Sequence, residues 1–275
     1  MLKVFEMFSY SFMLKALIVG LLISICASLV GTFLVLKRNS MIGDGLSHVA
    51  FGAFSFATVL GFAPLIIAIP VVIIVSFFIL KLNDNNKIHG DSAIALMSAS
   101  SLAIGTFLIS VIKGVNVDIN SYLFGSILSI NSEDVILSIL VFIVVIVLFI
   151  TSYNKIFSIT FDETFAKSIG INTDLYNAIF AILCSVIIVL GMRLMGALLI
   201  SSLIIFPSIS SMQLFRKFKS VVIFSTIVSS ISFVIGLITS FYFEVPTGST
   251  IVIINLIVII IFKLIKEVRS NKKWI

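Results

Sequence analysis

Val135-Ile-Leu-Ser-Ile-Leu-Val-Phe-Ile-Val-Val-Ile-Val-Leu-Phe-Ile150 carries one hydroxyl and no charge. A helix at a protein–water boundary shows a polar stripe every 3.6 residues, and a half-buried strand alternates. This stretch does neither. A membrane barrel strand runs about ten residues and also alternates. An unbroken apolar run of this length is a helix that meets lipid on most of its faces, since lipid admits only helices and closed barrels.

Working outward, similar runs fill the chain. Of 275 residues, 60% are apolar and 30 are charged, or 11%. Soluble domains carry about 25% charged residues. So few charges cannot clothe a water-facing surface, which excludes a soluble enzyme, a nucleic-acid-binding domain and a disordered tail protein. The class is all-α: a polytopic transmembrane helical bundle, expected as a single domain over 1–275. A helix crossing a ~30 Å hydrocarbon core needs about 20 apolar residues. The expected spans are 14–36, 46–62, 64–82, 91–112, 134–151, 174–192, 195–213, 220–242 and 249–265. That is nine. The count falls to eight if the segment after Asp44 is re-entrant. Met1–Tyr10 carries Glu6 and precedes a run too long for a signal-peptide core, so a cleavable signal is not expected.

The net charge of +6 reads as loop anchoring at the cytoplasmic face. With nine spans and a cytoplasmic C-terminus, 14 basic residues lie inside, among them Lys37, Arg38, Lys81, Lys87, Lys155, Lys167, Arg216, Lys217 and Lys219. Only Lys3, Lys15, Lys113 and Arg193 lie outside, with Arg193 expected to snorkel from a short hairpin. Cys26 and Cys184 sit in apolar runs without a CxxC partner and read as packing residues. The small residues of span four (Ala93, Ala95, Ser98, Ala99, Ser100, Ser101, Ala103, Gly105) suit either a pore-lining helix or a crowded structural helix at the bundle centre. No GxxxxGK[ST] phosphate loop occurs, so any ATPase is another chain.

One polar constellation lies within a span. Asp44 and His48 are four positions apart, one helical turn, with Gly52 and Ser55 continuing the stripe. A helix continuous from Arg38 would put His48 ~15 Å beyond the interface. Ionisable groups at that depth are costly unless paired or ligating. Three readings stay open: a structural Asp–His hydrogen bond, a proton relay, or a site for Zn²⁺ or Mn²⁺, whose ligand preferences one carboxylate and one imidazole match. Two chains across a two-fold axis would supply two of each. His89, in a polar loop, reads as a solvated side chain.

The stretch Gly31-Thr-Phe-Leu-Val-Leu-Lys-Arg-Asn-Ser-Met-Ile-Gly-Asp-Gly-Leu-Ser-His48 resembles the signature of the membrane permeases of ABC-type zinc/manganese importers. Asp118-Ile-Asn-Ser-Tyr-Leu-Phe-Gly-Ser-Ile-Leu128 is similar to their outer-loop motif. Phe161-Asp-Glu-Thr-Phe-Ala-Lys-Ser-Ile-Gly170 is similar to their inner-loop motif. Met195-Gly-Ala-Leu-Leu-Ile-Ser-Ser-Leu-Ile-Ile-Phe-Pro207 is similar to the run before the ATPase contact. The resemblance implies an ABC importer permease fold, a permease homodimer, two cytoplasmic ATPase subunits, an extracellular or periplasmic metal-binding protein, and a place in the bacterial cytoplasmic membrane. It implies no cofactor; Zn²⁺ or Mn²⁺ is the transported substrate. The family's ion ligands fall on Asp44 and His48. Its ATPase-coupling element falls on Pro207–Phe218, where Pro207 is expected to break the span and Phe215 and Phe218 to dock beside Arg216. The Gly-Asp-Gly-Leu-Ser-His form resembles the zinc branch more than the manganese branch. The same residues leave room for a manganese or iron importer, or for a proton-coupled secondary transporter with Asp44 and His48 as relay.

Overall fold

A computed structural model of the chain describes residues 10–84, 90–111, 125 and 130–271. His89, Lys87 and most of the 118–128 motif lie outside the described residues. The elements in order are α1 (Ser11–Leu36), α2 (Met41–Val59), α3 (Pro64–Asp84), α4 (Gly90–Val111), α5 (Ser132–Thr151), α6 (Tyr153–Phe161), α7 (Glu163–Ser168), α8 (Thr173–Met195), α9 (Ala197–Leu214), α10 (Phe218–Phe243) and α11 (Thr247–Asn271).

Eight of these helices are long and apolar enough to cross a membrane. The expected second span, α2, is not among them, because Asp44, Ser47, His48 and three glycines dilute its 19 residues. It is nevertheless one continuous helix of about 28 Å, not a re-entrant loop. It packs against α3, α4, α8 and α9. A helix enclosed by other helices has little lipid to satisfy, so it can carry polar groups that its neighbours cannot.

The helix register is also not the one expected. α1 stops at Leu36 in a Schellman turn: Asn39 N–H donates to the Leu34 carbonyl and Arg38 N–H to the Val35 carbonyl. Arg38 takes the left-handed position of that turn, φ 63°, where glycine is usual. His48 therefore lies seven residues into a new helix, about 10 Å from its start, and the ~15 Å figure falls.

α2 is the hinge of the packing. A methyl group at Gly52 would lie 2.7 Å from the Ser101 carbonyl oxygen of α4. Gly52 thus marks a backbone-to-backbone approach of the kind small residues permit in lipid; it leaves no room beside His48. The small residues of α4 serve this contact, but α4 is not at the bundle centre. Only Ala93, Ile94, Gly105 and Ile109 of it are buried. Gly52→Ala should destabilise the detergent-solubilised protein by about 1–3 kcal/mol, the usual range for overpacking, read as a lowered melting temperature.

Hydroxyls join α1 to α9 and α10. Thr32 Oγ1 lies 3.1 Å from Ser208 Oγ and 2.9 Å from Ser225 Oγ, and Ser229 Oγ donates to the Ser24 carbonyl at 3.0 Å. Such bonds hold helices together where the hydrophobic effect between them is absent. Pro207 does not break its span: α9 runs through it to Leu214, with the ring buried. A proline is tolerated in a membrane helix where neighbouring helices shield and re-satisfy the freed backbone groups.

The two ends of the bundle differ. At one end, Lys15 Nζ donates to Ser132 Oγ and Arg193 pairs with Asp134. At the other, Lys37 meets Glu163 and Asn177, and the ring of Phe218 packs on Tyr153, Phe157 and Phe161. Lys37, Arg38, Lys155, Lys167, Arg216, Lys217 and Lys219 all belong to this second end, through the ends of α1, α6, α7 and the α9–α10 turn. Arg193 is a correction. It belongs to α8, not to a hairpin, and is held in an ion pair.

Candidate functional site

Asp44 and His48 share the α2 face left open between α4 and α9. Gly45 and Gly52 turn toward Ile94 and Ser101 of α4, and Gly43 and Ser47 toward Ile204 and Ser201 of α9. Asp44 Oδ2 stands 3.8 Å from His48 Nε2. That is beyond hydrogen-bond range, so the structural Asp–His hydrogen bond is not made. The Asp44 side chain is 50% exposed and that of His48 22%. His48 Nδ1 is buried and has no hydrogen-bond partner.

Asp44 opens into a cleft of about 510 Å³ between α2, α9 and α11. Its mostly apolar walls, Phe206 and Ile253 among them, include Ser40, Ser201, Ser202 and Ser249. Among the described residues, Asp44 is the one charged residue in that lining. Ser47 Oγ donates to the Asp44 carbonyl at 2.7 Å and lies 3.4 Å from Ser201 Oγ. Ser201, Ser202 and Ser249 are contributors that sequence reasoning missed. The two serines of α9 stood inside the motif before Pro207, which is the signal that would have found them.

The chemistry available is ligation. Zn²⁺ holds imidazole nitrogen at about 2.0–2.1 Å and carboxylate oxygen at about 2.0–2.2 Å. Two such ligands stand ~3.4 Å apart at the tetrahedral angle and ~4 Å apart when splayed wide. The observed 3.8 Å falls between. Among the described residues no group of three His, Cys, Asp or Glu comes together, so at this site they offer the pair.

The expected coupling residues are only partly accessible. Phe218 is 5% exposed, inside its ring cluster. Phe215 stacks on Phe224 at 3.9 Å. Arg216 and Lys217 are exposed. Exposed apolar side chains at this end include Phe161, Phe165 and Ile169, around α7, with Phe157 and Leu175 beside them. Asp162 caps α7 by accepting from Phe165 N–H at 2.8 Å.

A family model described as the ABC 3 transport family matches residues 9–266. An uncharacterised membrane protein of Cyanophora paradoxa, from the ycf23–apcF intergenic region, is 32% identical, over 96% of this chain and 89% of its own. The manganese import system permease protein ScaB of Streptococcus gordonii is 29% identical over 92% of this chain and 90% of its own. The high-affinity zinc uptake system membrane protein ZnuB of Haemophilus influenzae is 29% identical over 92% and 98%. Among solved structures, PsaBC from Streptococcus pneumoniae in complex with Fab aligns with a TM-score of 0.83 at 28% identity, covering 94% of both chains. The helical bundle, its enclosed polar α2 and these likenesses agree: the chain belongs to the ABC 3 transport family, as a multi-pass membrane protein.

Proposed function

We propose that the chain is the permease subunit of an ATP-driven importer of a divalent transition metal, with Asp44 and His48 as its ligands for the passing ion. The observation that carries the proposal is a 3.8 Å gap between carboxylate oxygen and imidazole nitrogen. The Asp44 end of that pair lines a cleft with no countercharge among the described residues. A half-exposed carboxylate within a membrane cannot face lipid at tolerable cost. A second copy of the chain, set across a two-fold axis, covers it and completes an N₂O₂ set.

Zinc is the favoured cargo, since two Asp and two His close a tetrahedron. Manganese, which prefers six oxygen-rich ligands, is the second reading; it is favoured by the ScaB likeness. The end bearing Lys37, Lys155, Lys167 and Arg216 is read as cytoplasmic by the positive-inside rule, with the C-terminus on the cytoplasmic side of the bacterial cytoplasmic membrane. Two ATPase subunits dock there, on the exposed Phe161, Phe165 and Ile169, and a binding protein delivers metal to the opposite mouth. ATP binding and hydrolysis then alternate which side is open.

The test is uptake into vesicles carrying permease, ATPase and binding protein. ATP-dependent accumulation of Zn²⁺ above Mn²⁺ and Fe²⁺ is the expected result. Accumulation that needs no ATPase and collapses with the proton gradient would establish the relay reading instead.

A further inference from the structure

We propose that a closed ring of Lys37, Glu163 and Asn177 is the strut through which the short inner helices move the helix bearing Asp44 and His48. Lys37 Nζ donates to Glu163 Oε2 at 2.9 Å and to Asn177 Oδ1 at 2.9 Å, and Asn177 Nδ2 donates to Glu163 Oε1 at 3.0 Å. Each side chain holds the other two, and three elements meet there: the end of α1, the first residue of α7 and the first turns of α8. The Lys37 ammonium also lies 5.3 Å over the Phe33 ring, a cation–π contact. Phe33 in turn stacks on Phe180 of α8 at 3.8 Å.

The two ends of the strut differ: one is built into the helix framework, the other sits on a short inner helix that can move. On one side Lys37 lies within the Schellman turn, whose bonds run from Arg38 and Asn39 back to Val35 and Leu34, and the Asn39 carbonyl in turn accepts from Ile42 N–H in the first turn of α2 at 3.2 Å. Asp44 follows seven residues on. On the other side α7 is six residues long and has few other fixings to the bundle: the buried Ala166 and an outer Lys167–Asp174 pair at 3.4 Å. The ring is partly shielded, with side-chain exposures of 13% for Lys37 and 34% for Glu163. Burial pushes the Glu163 carboxyl up, but Lys37, Asn177 and Lys167 together hold it below its usual range, so it stays ionised near neutral pH. A charged ring in a partly dry site resists bending more than a surface pair, which is worth little.

This inference rests on the docking of the ATPase at α7, and the test separates the two. In the reconstituted complex, Glu163→Gln and Lys37→Met should leave ATPase co-purification and ATP hydrolysis intact. Uptake should fall at least tenfold, so that more ATP is hydrolysed per ion imported. Lys37→Arg, which keeps the charge and the donors, should restore uptake. Unchanged ion-to-ATP ratios in Glu163→Gln and Lys37→Met overturn the strut. So does loss of the ATPase from Glu163→Gln, which would make Glu163 a docking residue. If Lys37→Met fails to accumulate, Glu163→Gln alone decides. Phe165→Asp is the separate arm: an ATPase that stays bound to it overturns the docking surface, and leaves the ion-to-ATP ratios of the ring variants to be read as before.

Discussion

Asp44→Asn should lower metal uptake by roughly 100-fold or more, and His48→Leu by a similar factor, with the protein still inserted and still bound to its ATPase. Loss of a group that merely orients a metal ligand costs about 10–100-fold. Removal of a ligand itself should reach at least the upper figure. Asp44→Asn is close to isosteric, and the residue's carbonyl, which accepts from Ser47, is untouched. The packing face of α2, built on Gly43, Gly45 and Gly52, is likewise intact. The loss therefore reports on ligation, not on folding.

The rival readings predict other outcomes. A purely structural pair gives near-normal uptake in Asp44→Asn, because the pair makes no hydrogen bond to lose at 3.8 Å. A proton relay gives uptake that depends on the proton gradient. His48→Cys adds a sharper arm. Thiolate is a softer ligand that favours zinc over manganese, so this variant should keep some Zn²⁺ uptake and lose Mn²⁺ uptake. Near-normal transport by both Asp44→Asn and His48→Leu would remove these residues from the pathway.

How far the residues alone foretold this is uneven, and the reasons are physical. Long apolar runs such as Val135–Ile150 read as helices because lipid leaves the backbone no alternative. The Asp44–His48 stripe was legible because four-residue spacing is local. The break before it was not: Arg38 occupies a left-handed position that sequence normally signals with glycine. Pro207 misled in the opposite sense, since burial among helices tolerates a ring that would end a helix in water. The family resemblance puts Phe218 on a docking face, but its three ring partners lie 57–65 residues away on α6. The serines of α9 and α11 that line the same cleft as Asp44 converge only through helix packing.

The same limit hid the second large effect. Asp134 reads as an acidic residue in the first turn of a helix, where it opposes the helix dipole and closes a capping box with Asn131. In the fold it is 2% exposed and bound to Arg193 at 2.8 Å, 59 residues on. Its other oxygen accepts from Asn131 N–H at 2.9 Å, so the carboxylate is satisfied on both sides. Breaking such a pair leaves a charge buried and alone, at a cost of about 3–5 kcal/mol. Arg193→Met should therefore destabilise the protein by about that much, because Asp134 is left buried and unpaired. Asp134→Asn should cost less, since amide and carboxylate have the same shape, the cap survives, and the Arg193 it strands is 26% exposed and can turn to water. Replacing both, Asp134→Asn with Arg193→Met, leaves no stranded charge and keeps an acceptor for the Asn131 N–H, so the double variant should recover most of the loss. The melting temperatures of the four proteins in one detergent form the double-mutant cycle that measures the coupling. Additive losses would show that the pair is a surface contact in all but burial, and would return Arg193 to the snorkelling role.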